Sequence, residues 1–267
     1  MKIRRIVTAF GVGPDSGSIL AAVAALAALH DAELEALFVE GDDLSRFAAL
    51  PFARELGFPS AAPRRLDPEA VERSLRARAR EARIRLAAAT GRTDPRWSFR
   101  AARGSLVEAL RAASPQADLV VVGNRPWDPA ALQLVRAGVA TLLVLPPGAK
   151  LAGPLYGVCA TTTAPAQAVT TLCALADAIG DGLTVVVAGP GDDEAVSWQD
   201  AAAAALKRQG RDATVRRLPA KGALDLSRVL QGGTGVAAFL GAEDALGESA
   251  ANALLRASRV PVFICRG

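Results

Sequence analysis

The chain has 267 residues, 51% of them hydrophobic but only 4% aromatic, and a formal net charge of +4. At roughly 100–200 residues per domain that length fits one large domain or two small ones, and with 22% charged residues the composition excludes a disordered tail, a collagen or a low-complexity scaffold. A single histidine, His30, excludes a His-rich zinc site, and Cys159, Cys173 and Cys265 are widely spaced and odd in number, which fits buried thiols in a reducing compartment better than a disulfide framework.

In chain order, Met1-Lys2-Ile3-Arg4-Arg5 imitates the basic start of a secretory signal. Gly11, Gly13, Pro14 and Asp15 interrupt the apolar core that such a signal needs. Short apolar runs then predict strands at 6–9, 34–39, 97–101, 119–122 and 139–145, with Ala/Leu-periodic helical stretches between most of them. Buried strands alternating with helices argue for a parallel sheet covered on both faces. His30 ends a helix beside Asp31, where a charged imidazole would suit the helix dipole. From about Pro68 to Ala89 a helix is expected, with Val71, Leu75, Ala79, Ala82 and Leu86 as its buried stripe. Arg73, Arg76, Arg80 and Arg83 line another face. That row reads either as a phosphate-binding surface or, with Glu69, Glu72 and Glu81 interleaved, as a solvated, salt-bridged face.

Further strands are expected at 155–160, 183–188, 213–218, 236–240 and 260–265, so the second half repeats the order of the first. Arg103-Gly104 matches Lys221-Gly222, and Gly123 matches Gly241, both 118 positions apart. Between the repeats, Pro146-Pro147-Gly148 through Gly153-Pro154 is a run that terminates strands and resists helix. The uncharged stretch 151–176 is broken by Gly153, Pro154, Gly157 and Pro165 and does not read as a membrane span. Fold class is therefore α/β: two tandem, doubly wound five-stranded parallel sheets, with units at 1–148 and 153–267. The first unit is longer by about 30 residues, an insertion at 41–66. It holds Phe47, Phe52 and Phe58 and predicts a short amphipathic helix broken at Pro51. This segment is a lid, a partner-docking element or simple packing over the sheet edge.

Three features make the chain resemble a tandem universal stress protein. They are the first strand leading to Pro14-Asp15-Ser16, the run Ala117-Asp118-Leu119-Val120-Val121-Val122-Gly123, and the closing helix and strand of each half, clearest from Leu246-Gly247-Glu248-Ser249 to Val260-Pro261-Val262-Phe263-Ile264. The resemblance implies strand order 3-2-1-4-5 and pairing of the two units through their fifth strands. That gives a pseudo-twofold relation within one chain, acting as a monomer or as a homodimer. It also implies ATP, held by a Gly-x2-Gly-x9-Gly-Ser/Thr loop whose bare N–H groups cradle phosphates.

The sequence departs from that pattern in both halves. Pro126, Trp127 and Pro129 stand in the first loop, and Glu243, Asp244 and Glu248 surround Gly241, Gly247 and Ser249 in the second. The family's acidic residue at the end of the first strand is replaced by Phe10-Gly11 and by Thr161. The expectation is a non-enzymatic, cytoplasmic, stress-linked regulatory or binding protein whose ATP binding is weakened or lost. Residual adenine nucleotide contacts would fall on Gly11, Gly13, Gly123, Asn124 and Arg125, and on Thr161, Gly241, Gly247 and Ser249. A protein partner would dock through Phe47, Phe52 and Phe58. No metal, nucleic acid or membrane partner is expected.

Two other readings stand beside this one. Gly11-Val12-Gly13-Pro14-Asp15-Ser16-Gly17, with Glu40 ending the second strand, approximates a dinucleotide fingerprint. It would make the chain an enzyme using a nucleotide or dinucleotide, with the phosphate at 11–17. Otherwise it is a turn capped by Asp15 or Ser16. The third reading is a purely structural pseudo-dimer.

Overall fold

The structure, a computed structural model, describes residues 2–10, 16–40, 43–50, 52–57, 62–91, 93–123, 133–134, 137–179, 182–188, 192–217, 234–241 and 258–265. In chain order the described elements are β1 (Arg5–Phe10), α1 (Ser16–Leu29), β2 (Glu33–Glu40), α2 (Asp43–Ala48), β3 (Arg54–Gly57), β4 (Ala62–Arg65), α3 (Pro68–Thr90), β5 (Trp97–Arg103), α4 (Leu106–Ala113), β6 (Leu119–Gly123) and β7 (Thr141–Leu145). There follow β8 (Leu155–Ala160), α5 (Pro165–Ile179), β9 (Leu183–Ala188), α6 (Asp192–Arg208), β10 (Thr214–Arg217), β11 (Val236–Leu240) and β12 (Val262–Cys265).

Ten strands form one sheet in the order β10-β9-β8-β11-β12-β7-β6-β1-β2-β5. The expected order 3-2-1-4-5 therefore appears twice, running inward from each edge. The two five-stranded sets join into one sheet through β7 and β12, the fifth strand of each, as the resemblance implied. That central pair is antiparallel, with Leu143 opposite Phe263, while every other pair in the sheet is parallel. The carboxyl ends of the two strand sets consequently open on opposite edges of the sheet.

Residues alternate between the faces, as a sheet buried on both sides requires. Ile6, Leu34, Leu119, Leu143, Phe263, Val236, Leu155 and Val185 meet α1, α3, α5 and α6 in one continuous core. On the other face Val7, Leu37, Val120, Leu142, Val262, Phe239 and Val158 pack with Leu110 and Ala113 of α4. Ala-rich helices come close to this surface. A Cβ at Gly157 on β8 would collide with both methyls of Leu172 on α5.

Asp118, from the family-like run, fastens the start of the sheet. Its Oδ2 accepts the backbone N–H groups of Arg4 and Arg5 at 2.7 and 3.0 Å. Beside it, Glu35 on β2 takes Arg5 from β1 at 2.7 Å and Arg100 from β5 at 3.0 Å, an ion pair across three adjacent strands. Helix α3 begins with Pro68 behind Asp67, whose carboxylate accepts the Glu69 N–H at 3.0 Å.

The short helix expected before Pro51 is α2, six residues long; beyond it the chain folds into a hairpin not expected from the sequence, β3–β4, antiparallel and a sheet of its own. Proline cannot continue a helix, and Pro63 is tolerated because a two-stranded sheet consists entirely of edges. Ala48, Ala53 and Leu66 bury themselves with Val71 and Leu75 of α3 in a small separate core.

Candidate functional site

Open α/β sheets bind ligands at the carboxyl ends of strands where the order reverses. Here that means the ends of β1 and β6 on one edge and of β8 and β11 on the other. Of the residues expected to contact nucleotide, Gly11, Gly13, Asn124, Arg125, Gly247 and Ser249 lie outside the described residues, as does Phe58 of the insertion. Gly123, Thr161 and Gly241 are described.

On the first edge, Phe10 ends β1 and is buried. Its ring lies 6.2 Å from Phe38 and 6.4 Å from Phe99 between centroids, in tilted and edge-on geometry. An aromatic cluster thus occupies the strand end where the family-like pattern has an acidic residue. Gly123, at the end of β6, is crowded from above: a Cβ there would lie 2.5 Å from Ile19 Cδ1 of α1.

At the neighbouring end of β2, Glu40 is half-buried, and its Oε1 is fully enclosed without a hydrogen-bond partner among the described residues. Burial raises the Glu40 pKa, and Arg103 opposes the rise. Arg103 itself pairs with Glu72 of α3 at 2.6 Å.

On the second edge the chain turns directly onto Gly241. Thr161 is half-buried, Thr162 exposed and Thr163 buried. Gly241 adopts φ +64, a region that favours glycine. A Cβ added there would lie 2.5 Å from Thr163 Oγ1 and 3.8 Å from Thr162 Oγ1. The turn is held from behind, since Trp198 of α6 donates its Nε1–H to the Thr163 carbonyl at 2.7 Å, a buried bond. The turn after β8 and the end of β11 thus meet, with Ala160 and Thr163 against Gly241. The residue that holds the turn, Trp198, was not anticipated; it lies 35 positions from Thr163, and no spacing motif joins them.

His30 corrects an expectation. It does sit at the end of α1, but burial lowers its pKa against the backbone carbonyl of Ala178, which raises it. Its Nε2 is buried and unpartnered among the described residues, so the neutral ring is favoured over a cation serving the helix dipole. The thiols are enclosed as expected. Burial pushes Cys159 and Cys265 up to about 12, and all three cysteines are free. Among the described residues no group of three His, Cys, Asp or Glu gathers to hold a metal, and no described helix is long and apolar enough to cross a membrane.

No protein-family model and no curated protein sequence matches the chain. Among solved structures, it is similar to a universal stress protein from Archaeoglobus fulgidus DSM 4304. The two are 11% identical with a TM-score of 0.67, over 98% of this chain and 96% of that one. A protein described as a universal stress protein from Pseudomonas aeruginosa UCBPP-PA14 is 15% identical with a TM-score of 0.61, covering 99% and 93%. The cytoplasmic domain of a prokaryotic cation chloride cotransporter is 11% identical with a TM-score of 0.52, covering 99% and 95%. At such identities the likeness is one of fold, and one fold serves several roles. Along nearly its whole length, the chain has the fold of the universal stress proteins.

Proposed function

We propose that the protein is a non-enzymatic regulatory or binding module of the universal-stress type, acting in the cytoplasm. Its two units are 1–148 and 153–267, and their ATP binding is weakened or lost. The observation that carries this reading is the seat of Thr163 on Gly241. A phosphate cradle needs bare backbone N–H groups open to the ligand. Here the Thr163 hydroxyl crowds the space beside the Gly241 Cα, and Trp198 pins the turn in place, which supports a site closed to phosphate. The Phe10 cluster supports the same conclusion on the opposite edge. Protein purified without added nucleotide, then denatured, should release no stoichiometric nucleotide, and titration with ATP should show at most weak binding. Stoichiometric ATP in the supernatant would sink the reading.

One observation favours the dinucleotide reading as a second. The enclosed, unpartnered Glu40 Oε1 stands at the end of β2, where an acidic side chain takes a ribose hydroxyl in dinucleotide folds. Titration with NAD(P) decides between them: micromolar binding lost in Glu40→Ala selects the enzyme, and absence of binding removes it.

A further inference from the structure

Strand β5 is the last strand on one side of the main sheet, with β2 as its one described neighbour. The Leu34 N–H donates to Arg96 O at 2.8 Å and the Gly104 N–H to Glu40 O at 2.9 Å, while Leu34 stands in register with Trp97 and Glu40 with Arg103. In a parallel ladder that register turns the backbone groups of Ser98, Arg100 and Ala102 toward β2. The N–H and C=O groups of Trp97, Phe99 and Ala101 therefore point away from the sheet. Among the described residues no hydrogen bond reaches them. Backbone groups placed this way form a template for one more strand.

Helix α3 lies beside that rim. The side chains of Trp97 and Phe99 pack into the core that α3 helps to cover, and Arg103, on the same face by alternation, reaches Glu72 of α3 at 2.6 Å. From Glu72 the helix runs back along β5 toward Trp97. Arg76 and Arg83 stand at i+4 and i+11 from Glu72, within about 40° of it around the helix. The Glu72 contact thus puts their flank of α3 on the β5 side, and the helical rise sets Arg76 roughly level with Ala101 and Arg83 with Phe99. Both arginines are exposed. Among the described residues no carboxylate comes within ion-pair distance of either.

We propose that the outer edge of β5 takes up an extended segment of a partner protein as a further strand, with acidic side chains at alternate positions on the face toward α3. The unpaired backbone calls for a strand, and the two arginines select its charge. Side chains on one face of a strand recur about every 6.8 Å, which matches Ala101 and Phe99 and the arginines above them. A second copy of this chain suits the edge less well. Pairing β5 with itself across a twofold axis would bring the arginine flanks of two α3 helices together. The inference is independent of whether the strand ends bind nucleotide.

A capped seven-residue peptide alternating Glu and Val, labelled for fluorescence anisotropy, should bind the full chain, and salt should weaken that binding. Its Lys/Val counterpart should bind about tenfold more weakly or less. Methylation of the backbone nitrogens that would meet β5 should abolish binding, since a strand without donors cannot join the ladder. Ala101→Pro removes an outward N–H at a place where an edge strand tolerates proline, and should abolish binding as well. Arg76→Gln/Arg83→Gln should weaken it about tenfold. Circular dichroism checks the fold of each variant; should Ala101→Pro unfold, the methylated peptide decides. No binding of the Glu/Val peptide, or equal binding of the Lys/Val or methylated form, overturns the proposal, and so does unchanged binding by folded Ala101→Pro. A concentration-dependent dimer in analytical ultracentrifugation that Ala101→Pro abolishes gives the edge to a second copy and overturns it too.

Discussion

The indole Nε1–H of Trp198 donates to the Thr163 carbonyl at 2.7 Å across 35 positions, and this bond seats the threonine turn on Gly241. Trp198→Phe keeps most of the packing and deletes the donor. The expected loss is about 1–3 kcal/mol, since a buried carbonyl is left unsatisfied. Denaturant titration measures the loss, and hydrogen exchange should show faster exchange of the Thr163 amide, which donates to Ala160 O.

Gly241→Ala meets two penalties at one atom. The backbone holds φ +64, and the new methyl would collide with Thr163 Oγ1. Together they should cost about 1–3 kcal/mol in urea unfolding. Gly182→Ala is the matched comparison: nothing lies within 4 Å of its added Cβ, so its midpoint should stay near the parent value.

Glu35 is almost enclosed, with its side chain 11% exposed, and serves two arginines from neighbouring strands. Glu35→Ala should destabilise by about 1–3 kcal/mol, because Arg5 is left without its principal counterion. Arg100 is half-exposed and should recover by turning to water. Arg100→Ala is therefore expected to cost less than Glu35→Ala when the two are compared by thermal unfolding.

The His30 pKa lies below its ordinary value of 6.5 because burial disfavours the cation. In the unfolded chain the ring protonates as pH falls through 6.5, whereas the folded form resists the proton. Stability due to this group is thus fully present above pH 6.5 and declines on acidification. His30→Gln should flatten the dependence of the urea midpoint between pH 7.5 and 5.5.

At alkaline pH the thiols act in the opposite sense. Cys159 and Cys265 are held protonated up to about 12, while thiols of the unfolded chain ionise at ordinary values. Their contribution is present below pH 9 and is lost as pH rises further. Neither should react with a thiol reagent in native protein at pH 8, and both should react after denaturation.

All ten strands of the main sheet were legible, the buried ones as apolar runs such as Val120-Val121-Val122 and the exposed edge strands β5 and β10, which carry Arg100 and Arg216, through their place in the repeat. The hairpin at 54–57 and 62–65 was not. Its strands are four residues long, one contains Pro63, and neither shows the alternation that marks a half-buried strand. At the candidate site, Gly241 was visible as the counterpart of Gly123, but what occupies the space above it depends on a tertiary bond from Trp198. A tryptophan within an Ala-rich helix reads only as packing. His30 misled for a related reason: chain position suggested a dipole partner, whereas enclosure near Ala178, far along the sequence, decides its charge.

The antiparallel seam between β7 and β12 has a consequence for assembly. Only residues 146–154 separate β7 from β8, the strand that begins the second set, so the two strand sets that meet at the seam are held on one short tether. Their encounter is governed by effective concentration and not by the amount of protein present. Dilution cannot part them. Cleavage of the tether would turn the same seam into a bimolecular contact, and only then would its integrity depend on how much protein is in the tube.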